Sequence, residues 1–403
     1  MTTSRDSAHD RLAARLSGAV AHLDDPATPM VVIDVDAFDA NLSDLARRAS
    51  GTPIRVASKS IRIPALLQRA LADPAVEGVL SYNLREAIWL AENDVCDDMV
   101  VAYPTVDRGA IGKLAADERL RDRITLMIDD VAHLDVIDGC RDGSAPVKVA
   151  IDIDAGLKWG PSHVGPKRSP LYDAAEIVAL ARAAQKRGLV VDGVMTYEGQ
   201  VAGVQDDVPG QRAKSMIVRR LKGASIAQLG ERRHRIAEAL KEVVDLRFWN
   251  AGGSGSVEST VADPVVTEVA AGSGLLVPAL FDHYQSFRPR PAAYFGVPVV
   301  RRPSDTIATV AGGGFIASGA AGRDRLPVPW APSGLQVTSL EGVGEVQTPL
   351  TGPGAARLHV GDWVWFRHAK SGELAEHTNL VHLLQAQDVV DSVPSYRGLG
   401  LAW

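Results

Sequence analysis

A (β/α)8 barrel followed by an all-β domain is the architecture that this sequence of 403 residues predicts. Three observations carry that expectation. Eight short β-type runs recur between residues 54 and 272, separated by Ala-, Leu- and Arg-rich stretches of helical spacing, an alternation that a parallel barrel requires. Beyond about residue 285 Pro and Gly become dense, helical spacing stops and only β-type runs continue. Reactive or small residues also fall at the C-terminal ends of several runs, the rim where barrels build their sites. An open doubly wound sheet is the structural alternative, because counting elements does not fix closure.

In order, the β-type runs are "IRVAS" (54–58), "VEGVLSY" (76–82), "MVVAY" (99–103), "ITLMID" (124–129), "VKVAIDID" (147–154), "VDGVMTY" (191–197), "DLRFWN" (245–250) and "VVTEVAAG" (265–272). Helices are expected over 63–73, 84–93 and 171–188, the last closed by Gly188. The second domain is expected at 285–403, with β-type runs in "DTIATVAGGG", "LQVTSLEGVGEVQ" and "DWVWFRHAK". Residues 28–284 then form the barrel and 1–27 a helical extension, while the early run at 30–35 precedes the barrel strands and is a candidate to pair with the β domain.

Composition bounds the function classes. A 46% apolar content supports a substantial core. The balance of 43 basic against 49 acidic residues gives no electrostatic footprint for nucleic acid, and no basic block points to a membrane surface. Two cysteines, Cys96 and Cys140, make no disulfide framework. The N-terminal stretch carries acids where a secretory signal needs an unbroken apolar core. A cytoplasmic protein is the expectation.

The first run ends "VASKS", which puts Lys59 at the barrel rim, where an apolar setting favours the nucleophilic, uncharged amine. A lone Lys is ordinarily a solvated surface charge, so the position matters more than the residue. The sixth run brings Tyr197 to the same rim. The seventh delivers "NAGGSGS" (250–256), with Asn250, Gly253, Ser254 and Gly255, and the eighth delivers Gly272 and Ser273. Glycines let backbone N–H groups approach an anion and Ser hydroxyls complete its shell; the plain alternative is a flexible turn. Two such loops on adjacent strand ends match a barrel phosphate site. Together with Lys59 they sketch a phosphorylated carbonyl cofactor, pyridoxal 5'-phosphate.

With those residues in place, the chain resembles the fold-type III pyridoxal-phosphate enzymes, whose alanine racemase-like barrel precedes a β domain. Within them it is similar to the D-threonine aldolase and D-serine dehydratase-like family, and to sequences of the amino acid deaminase/aldolase type. The stretches that carry the resemblance are "TPMVVIDVDAFDANL", "VASKS" followed by "PAL", "MTYEGQ", "NAGGSGS" and "VGDWVWFRHAKSGELAEHTN". The resemblance implies that Lys59 forms the Schiff base, that Tyr197 lies against the cofactor, and that Gly253, Ser254 and Gly255 hold its phosphate beside Gly272 and Ser273. It also implies a homodimer acting on small D-amino acids.

Two departures stand out. Where the family usually carries an Arg, "DIDAGLKWGPSHVG" has Lys158 and Trp159. The family binds a divalent metal through His-x-Cys or His-x-Asp, a spacing that puts both side chains on one face of a strand. Here "RHAKS" keeps His368 and puts Lys370 at the second position, and "GVGEVQ" keeps Glu345 with Val346 where a His is expected. Two readings follow. Lys370 supplies a fixed positive charge in place of the metal, or a metal is kept by His368 with Glu373 or His377.

The resemblance implies a lyase of D-3-hydroxy amino acids, using Lys59, Tyr197, His368 and Lys370. If His368 takes the β-hydroxyl proton the Cα–Cβ bond breaks; if Lys59 takes the α-proton and hydroxide departs, a keto acid and ammonia result. An amino acid racemase, a non-catalytic pyridoxal-phosphate carrier and a phosphate-binding barrel of other chemistry are the alternatives. "AGGGFIASG" (311–319) lacks the strand-to-helix setting of a P-loop and reads as a turn near the site. Arg323, Asp324 and Arg325 read as a salt-linked surface loop, with a substrate or dimer contact as the other reading.

Overall fold

In the computed structural model, which describes residues 4–24, 26–142 and 145–403, the chain enters through helix Ser4–Val20 and strand β1 (Met30–Asp34). Residues 1–3 and 25 of the expected N-terminal extension lie outside the described residues. The chain then runs through β2 (Ile54–Ala57), β3 (Val76–Ser81), β4 (Met99–Val101), β5 (Ile124–Ile128) and β6 (Lys148–Asp152). A hairpin of β7 (Leu157–Trp159) and β8 (Ser162–Val164) follows, then β9 (Val190–Thr196), β10 (Phe248–Ala251) and β11 (Glu268–Ala271). Eight of these strands close in the order β10-β11-β2-β3-β4-β5-β6-β9, with every neighbouring pair parallel. Each β-type run read between 54 and 272 thus supplies one barrel strand, and closure removes the open-sheet alternative.

The barrel lumen is packed rather than hollow. Val100, Met127, Ala150, Met195 and Phe248 form an inner layer. Gly193 makes room for Phe248: a Cβ there would sit 2.3 Å from the ring. Below that layer Arg55 is fully buried, bonded at 2.8 and 2.6 Å to Glu268 and at 3.1 Å to Asp98. This pair ties β2 to β11 where the barrel closes, and removing one partner of such a buried pair costs about 3–5 kcal/mol.

The connecting helices follow their local signals. Helix Leu84–Glu92 is capped by Asn83, whose side chain accepts from the Arg85 N–H. Helix Ala174–Lys186 stops before Gly188, which holds a left-handed φ of +76°. The 30-residue helix Arg212–Lys241 between β9 and β10 is not signalled by apolar period, because its buried positions include Arg232, Arg233 and Lys222 as well as Leu229, Ile236 and Leu240.

Strands β12 (Ala293–Ser304), β13 (Ile307–Ala311), β14 (Val328–Ala331), β15 (Gln336–Val337), β16 (Gln347–Thr351), β17 (Trp363–Arg367), β18 (Leu380–Gln385) and β19 (Asp388–Pro394) build a nine-stranded sheet with β1. Here β1 lies between β12, antiparallel, and β18, parallel. Two β-type runs are shorter than read. "LQVTSLEGVGEVQ" breaks after Val337 into a turn with Leu340 fully exposed and Gly342 at a φ of +67°, so its apolar residues do not form one strand. "DWVWFRHAK" stops at Arg367, which decides the fate of His368 and Lys370 below.

Candidate active site

A cavity of about 520 Å³ opens over the C-terminal ends of the barrel strands and is walled on its outer side by the second domain. Lys59 enters it from the 3-10 turn Ser58–Ser60, directly after β2. The turn is pinned from both domains. Ser58 donates to the Leu80 carbonyl, and Arg62 donates to the Lys59 carbonyl at 3.0 Å while pairing with Glu376 at 2.6 Å. Gly372 presses its backbone on the same carbonyl, so that a Cβ would lie 1.9 Å from the Lys59 oxygen, and its φ of +100° also demands glycine. Inside the cavity the Lys59 Nζ donates to the Tyr103 hydroxyl at 2.7 Å.

Tyr197, one residue past β9, lines the same cavity, and burial raises its hydroxyl above the usual phenol range against the opposing charge of Arg168. Arg168 lies 5.5 Å from the ring centroids of both Tyr103 and Tyr197. It brings a guanidinium to the cavity wall beside those two rings. Lys158 and Trp159 are exposed on β7, with the Lys158 Nζ 3.3 Å from the Tyr172 ring centroid, and neither lines the cavity. The hairpin β7–β8 brings Arg168 in, so its distance from the expected position hid it.

Asn250, Gly253, Ser254, Gly272 and Ser273 all line the cavity. Asn250 is held from below by Glu268, to which it donates at 2.6 Å. The two loops are tied together, since Gly274 N–H donates to the Ser254 hydroxyl at 2.9 Å and the Ser60 and Ser273 hydroxyls are 2.9 Å apart. Behind them Arg48 donates to the Ser254 carbonyl at 2.8 Å, and Glu198 accepts from the Gly252 N–H, whose φ is +83°. Gly255 is not on the wall. It packs outward, where a Cβ would meet the Ala202 oxygen at 2.3 Å and the Tyr284 ring at 2.6 Å. Its glycine is needed for that close approach, which keeps the loop low.

On the outer wall Lys370 donates to the Ser318 hydroxyl at 2.7 Å, and Glu373 accepts from the Ser318 N–H at 2.9 Å. Arg325 joins them on the cavity wall, favouring the site reading of its loop over the surface reading. His368 does not. Because β17 ends at Arg367, strand alternation no longer places 368 and 370 on one face. His368 is buried beneath the cavity floor among Val31, Ile33 and Leu276, with its Nε2 3.0 Å from the Ser371 hydroxyl. Burial, with the Arg367 charge beside it, pushes its imidazole down to about 3.

The donor set can be tested against both implied groups. For pyridoxal phosphate it fits: an amine, two Ser hydroxyls, a loop whose glycine at 272 leaves space that a Cβ, 2.6 Å from the Ala57 oxygen, would fill, and an aromatic ring share one cavity. For the divalent metal it does not. An ammonium occupies the second position, His368 is turned into the floor, His377 stacks on Phe315 at 4.2 Å, and Glu373 accepts from the Ser318 N–H beside the Lys370 ammonium. Val346 is exposed outside the cavity lining. Among the described residues no group of three or more His, Cys, Asp or Glu side chains is set to hold an ion. Nor, among them, is any helix long and apolar enough to cross a membrane.

Similar structures span both domains. D-threonine aldolase from Filomicrobium marinum superposes with a TM-score of 0.76 at 20% identity, covering 92% of this chain and 95% of that one. D-threo-3-hydroxyaspartate dehydratase from Delftia sp. HT23 gives 0.74 at 19% identity, with 96% and 100% covered. Alanine racemase from Bacillus anthracis gives 0.61 at 16% identity, with 92% and 98% covered. No curated protein sequence matches the chain. The family model for the alanine racemase N-terminal domain matches residues 33–276, which span the whole barrel from the end of β1 to beyond β11. With that match, the closed barrel and the β domain behind it, the chain belongs to the alanine racemase-like family of fold-type III pyridoxal-phosphate enzymes.

Proposed function

We propose that the protein is a pyridoxal-phosphate-dependent lyase of D-3-hydroxy amino acids, working by retro-aldol cleavage or by dehydration. The observation that carries this reading is the outer wall, where Lys370, Ser318 and Glu373 from the second domain face the cavity that holds Lys59. A lyase of this class needs polar groups at the substrate's β-carbon, away from the amine that handles Cα. The two full-length neighbours with the higher likeness, an aldolase and a dehydratase by description, support the same reading.

In this reading Lys59 would hold the cofactor at its aldehyde, Ser254, Ser273 and the Gly253 and Gly272 backbone would hold its phosphate, and Tyr197 and Arg168 would line the space for its ring. When bound, the cofactor accepts the electrons of a bond breaking at Cα. The chain's own groups do the rest. Lys59 takes or returns the α-proton. Lys370, fixed by Ser318, offers its positive charge to the departing or developing β-oxygen. Glu373 accepts the β-hydroxyl proton in the aldol branch, a role for which His368, buried under the floor, is out of reach of the cavity. The chain is also proposed to act as a cytoplasmic homodimer.

The test is a product assay on holoenzyme with D-threonine, D-serine and D-threo-3-hydroxyaspartate. Aldehyde plus glycine identifies the aldolase branch, and keto acid plus ammonia the dehydratase branch. Loss of optical rotation with neither product would make the protein a racemase and overturn the lyase reading.

A further inference from the structure

We propose that Tyr103 is the proton partner of Lys59: its phenolate oxygen takes a proton from the Lys59 ammonium so that the free amine attacks an aldehyde, and returns it when the amine is released. The step rests on the reading above only in assigning aldehyde capture to Lys59. It balances by itself, since one N–H bond breaks, one O–H bond forms, and no other reactant is consumed.

The geometry is specific. Tyr103 stands two residues past the end of β4, on the cavity wall, and its oxygen is 2.7 Å from the Lys59 Nζ. The Nζ is 5.4 Å from the ring centroid, so the contact runs through the oxygen and not the ring face. Among the described residues Lys59 forms no ion pair with a carboxylate, and Tyr103 is the one side chain to which its amine donates. An ammonium must lose a proton before it is a nucleophile, and in a walled cavity the group that receives it has to be within hydrogen-bond reach.

The charges around Tyr103 suit a phenolate. Facing it are Lys59, Arg168, Asp152 and Tyr197. Burial alone would raise the phenol, but Lys59 and then Arg168 outweigh it and bring Tyr103 below its ordinary value, against a smaller opposing effect of Asp152. Asp152 is itself pushed up to about 7 by burial and by Asp129, so its opposition fades as the pH falls below neutral. The 2.7 Å contact therefore gives the proton on the Lys59 amine an acceptor inside the cavity.

Two measurements test this on the full chain. In the first, capture of added pyridoxal phosphate at Lys59 is trapped with borohydride, located by peptide mass spectrometry and followed from about pH 6 to pH 10, a range that spans the ordinary His to Lys values. In Tyr103→Phe the capture rate at neutral pH is expected to fall by about a hundred-fold and to recover toward the wild-type rate in alkali. Superimposable rate profiles would overturn the proposal, even if the substrate assignment stands. In the second, ultraviolet titration of the cofactor-free chain is expected to show one tyrosine ionising ahead of the others, absent in Tyr103→Phe and shifted upward in Lys59→Met. No such early tyrosinate, or one unmoved by Lys59→Met, would sink the idea without reference to any cofactor. Tyr82→Phe, a tyrosine outside the cavity lining, serves as the control for folding and background.

Discussion

His368 and Lys370, two residues apart, lie on opposite sides of the cavity wall: the Lys370 Nζ reaches Ser318 at 2.7 Å on the open side, while the His368 Nε2 meets Ser371 at 3.0 Å under the floor. The cause is the end of β17 at Arg367, after which the chain turns through Gly372 at a φ of +100°. The separation gives the two residues different jobs, and their variants are expected to behave differently.

Lys370→Met is expected to lower kcat by about ten- to a hundred-fold with little change in thermal stability, because the side chain is exposed to the cavity and its charge is the contribution at stake. His368→Ala is expected to lower stability by about 2–4 kcal/mol, from lost packing and from the lost contact to the Ser371 hydroxyl, which keeps only the Ser273 carbonyl as partner. Steady-state kinetics and melting curves of both variants check the division. A Lys370→Met enzyme that melts early but turns over normally would reverse it.

Stability against pH carries a readable sign. His368 is pushed down to about 3 from an ordinary 6.5, so its folded form resists a proton that the unfolded chain takes, and stability is lost as pH falls from 6.5 toward 3. Asp152 is pushed up to about 7 from 3.8, so the folded form keeps a proton that the unfolded chain loses, and stability is lost as pH rises from 3.8 toward 7. The two slopes, each up to about 1.4 kcal/mol per pH unit, oppose one another over the shared window. Asp152→Asn is expected to unmask the His368 slope, giving a chain that grows steadily more stable from about pH 4 to pH 6.5. Denaturant titrations across that range measure it.

Gly372→Ala is expected to disturb catalysis from outside the barrel. Its Cβ would sit 1.9 Å from the Lys59 oxygen, and its φ of +100° is strained for alanine. Either the loop or the Lys59 turn must move, and the expected cost is about 1–3 kcal/mol in stability together with a lower kcat. Melting curves and turnover of the variant report both.

Gly255→Ala tests the loop that carries Ser254. The added methyl would meet the Ala202 oxygen at 2.3 Å, lifting the loop toward the cavity. Weaker binding of pyridoxal phosphate is expected, by about ten-fold or more, measured by equilibrium titration of the aldehyde absorbance. Unchanged affinity would show that the 252–256 loop does not hold the phosphate.

Most of the scaffold is legible in the sequence, because the barrel strands are short, mostly apolar runs and most of them are followed by a stretch of helical spacing. Lys59 and Tyr197 are legible for a second reason: each stands just past the end of a barrel strand. Tyr103 carries the same signal, at the end of "MVVAY", and that rule would have found it. Arg168 was hidden by the β7–β8 hairpin, which delivers it from beyond the expected position. Glu373 and Arg325 come from 3-10 turns of the second domain, and their position over the barrel depends on long-range packing that no local period encodes. His368 lies under the floor because β17 ends at Arg367, three residues short of the expected β-type run.

The position of β1 sets an order on synthesis. Residues 30–34 emerge from the ribosome before any barrel strand, yet both of their neighbours, β12 at 293–304 and β18 at 380–385, are made after the whole barrel. Until then β1 has two bare edges of unpaired amides and carbonyls, a template for pairing with other chains. The barrel can close before the sheet can, because the sheet is incomplete until residues 293–304 and 380–385 have both been made. A fragment cut at residue 284 would keep the barrel and leave β1 permanently unpaired, making aggregation the expected fate of the isolated barrel unless residues before Val35 are removed with it.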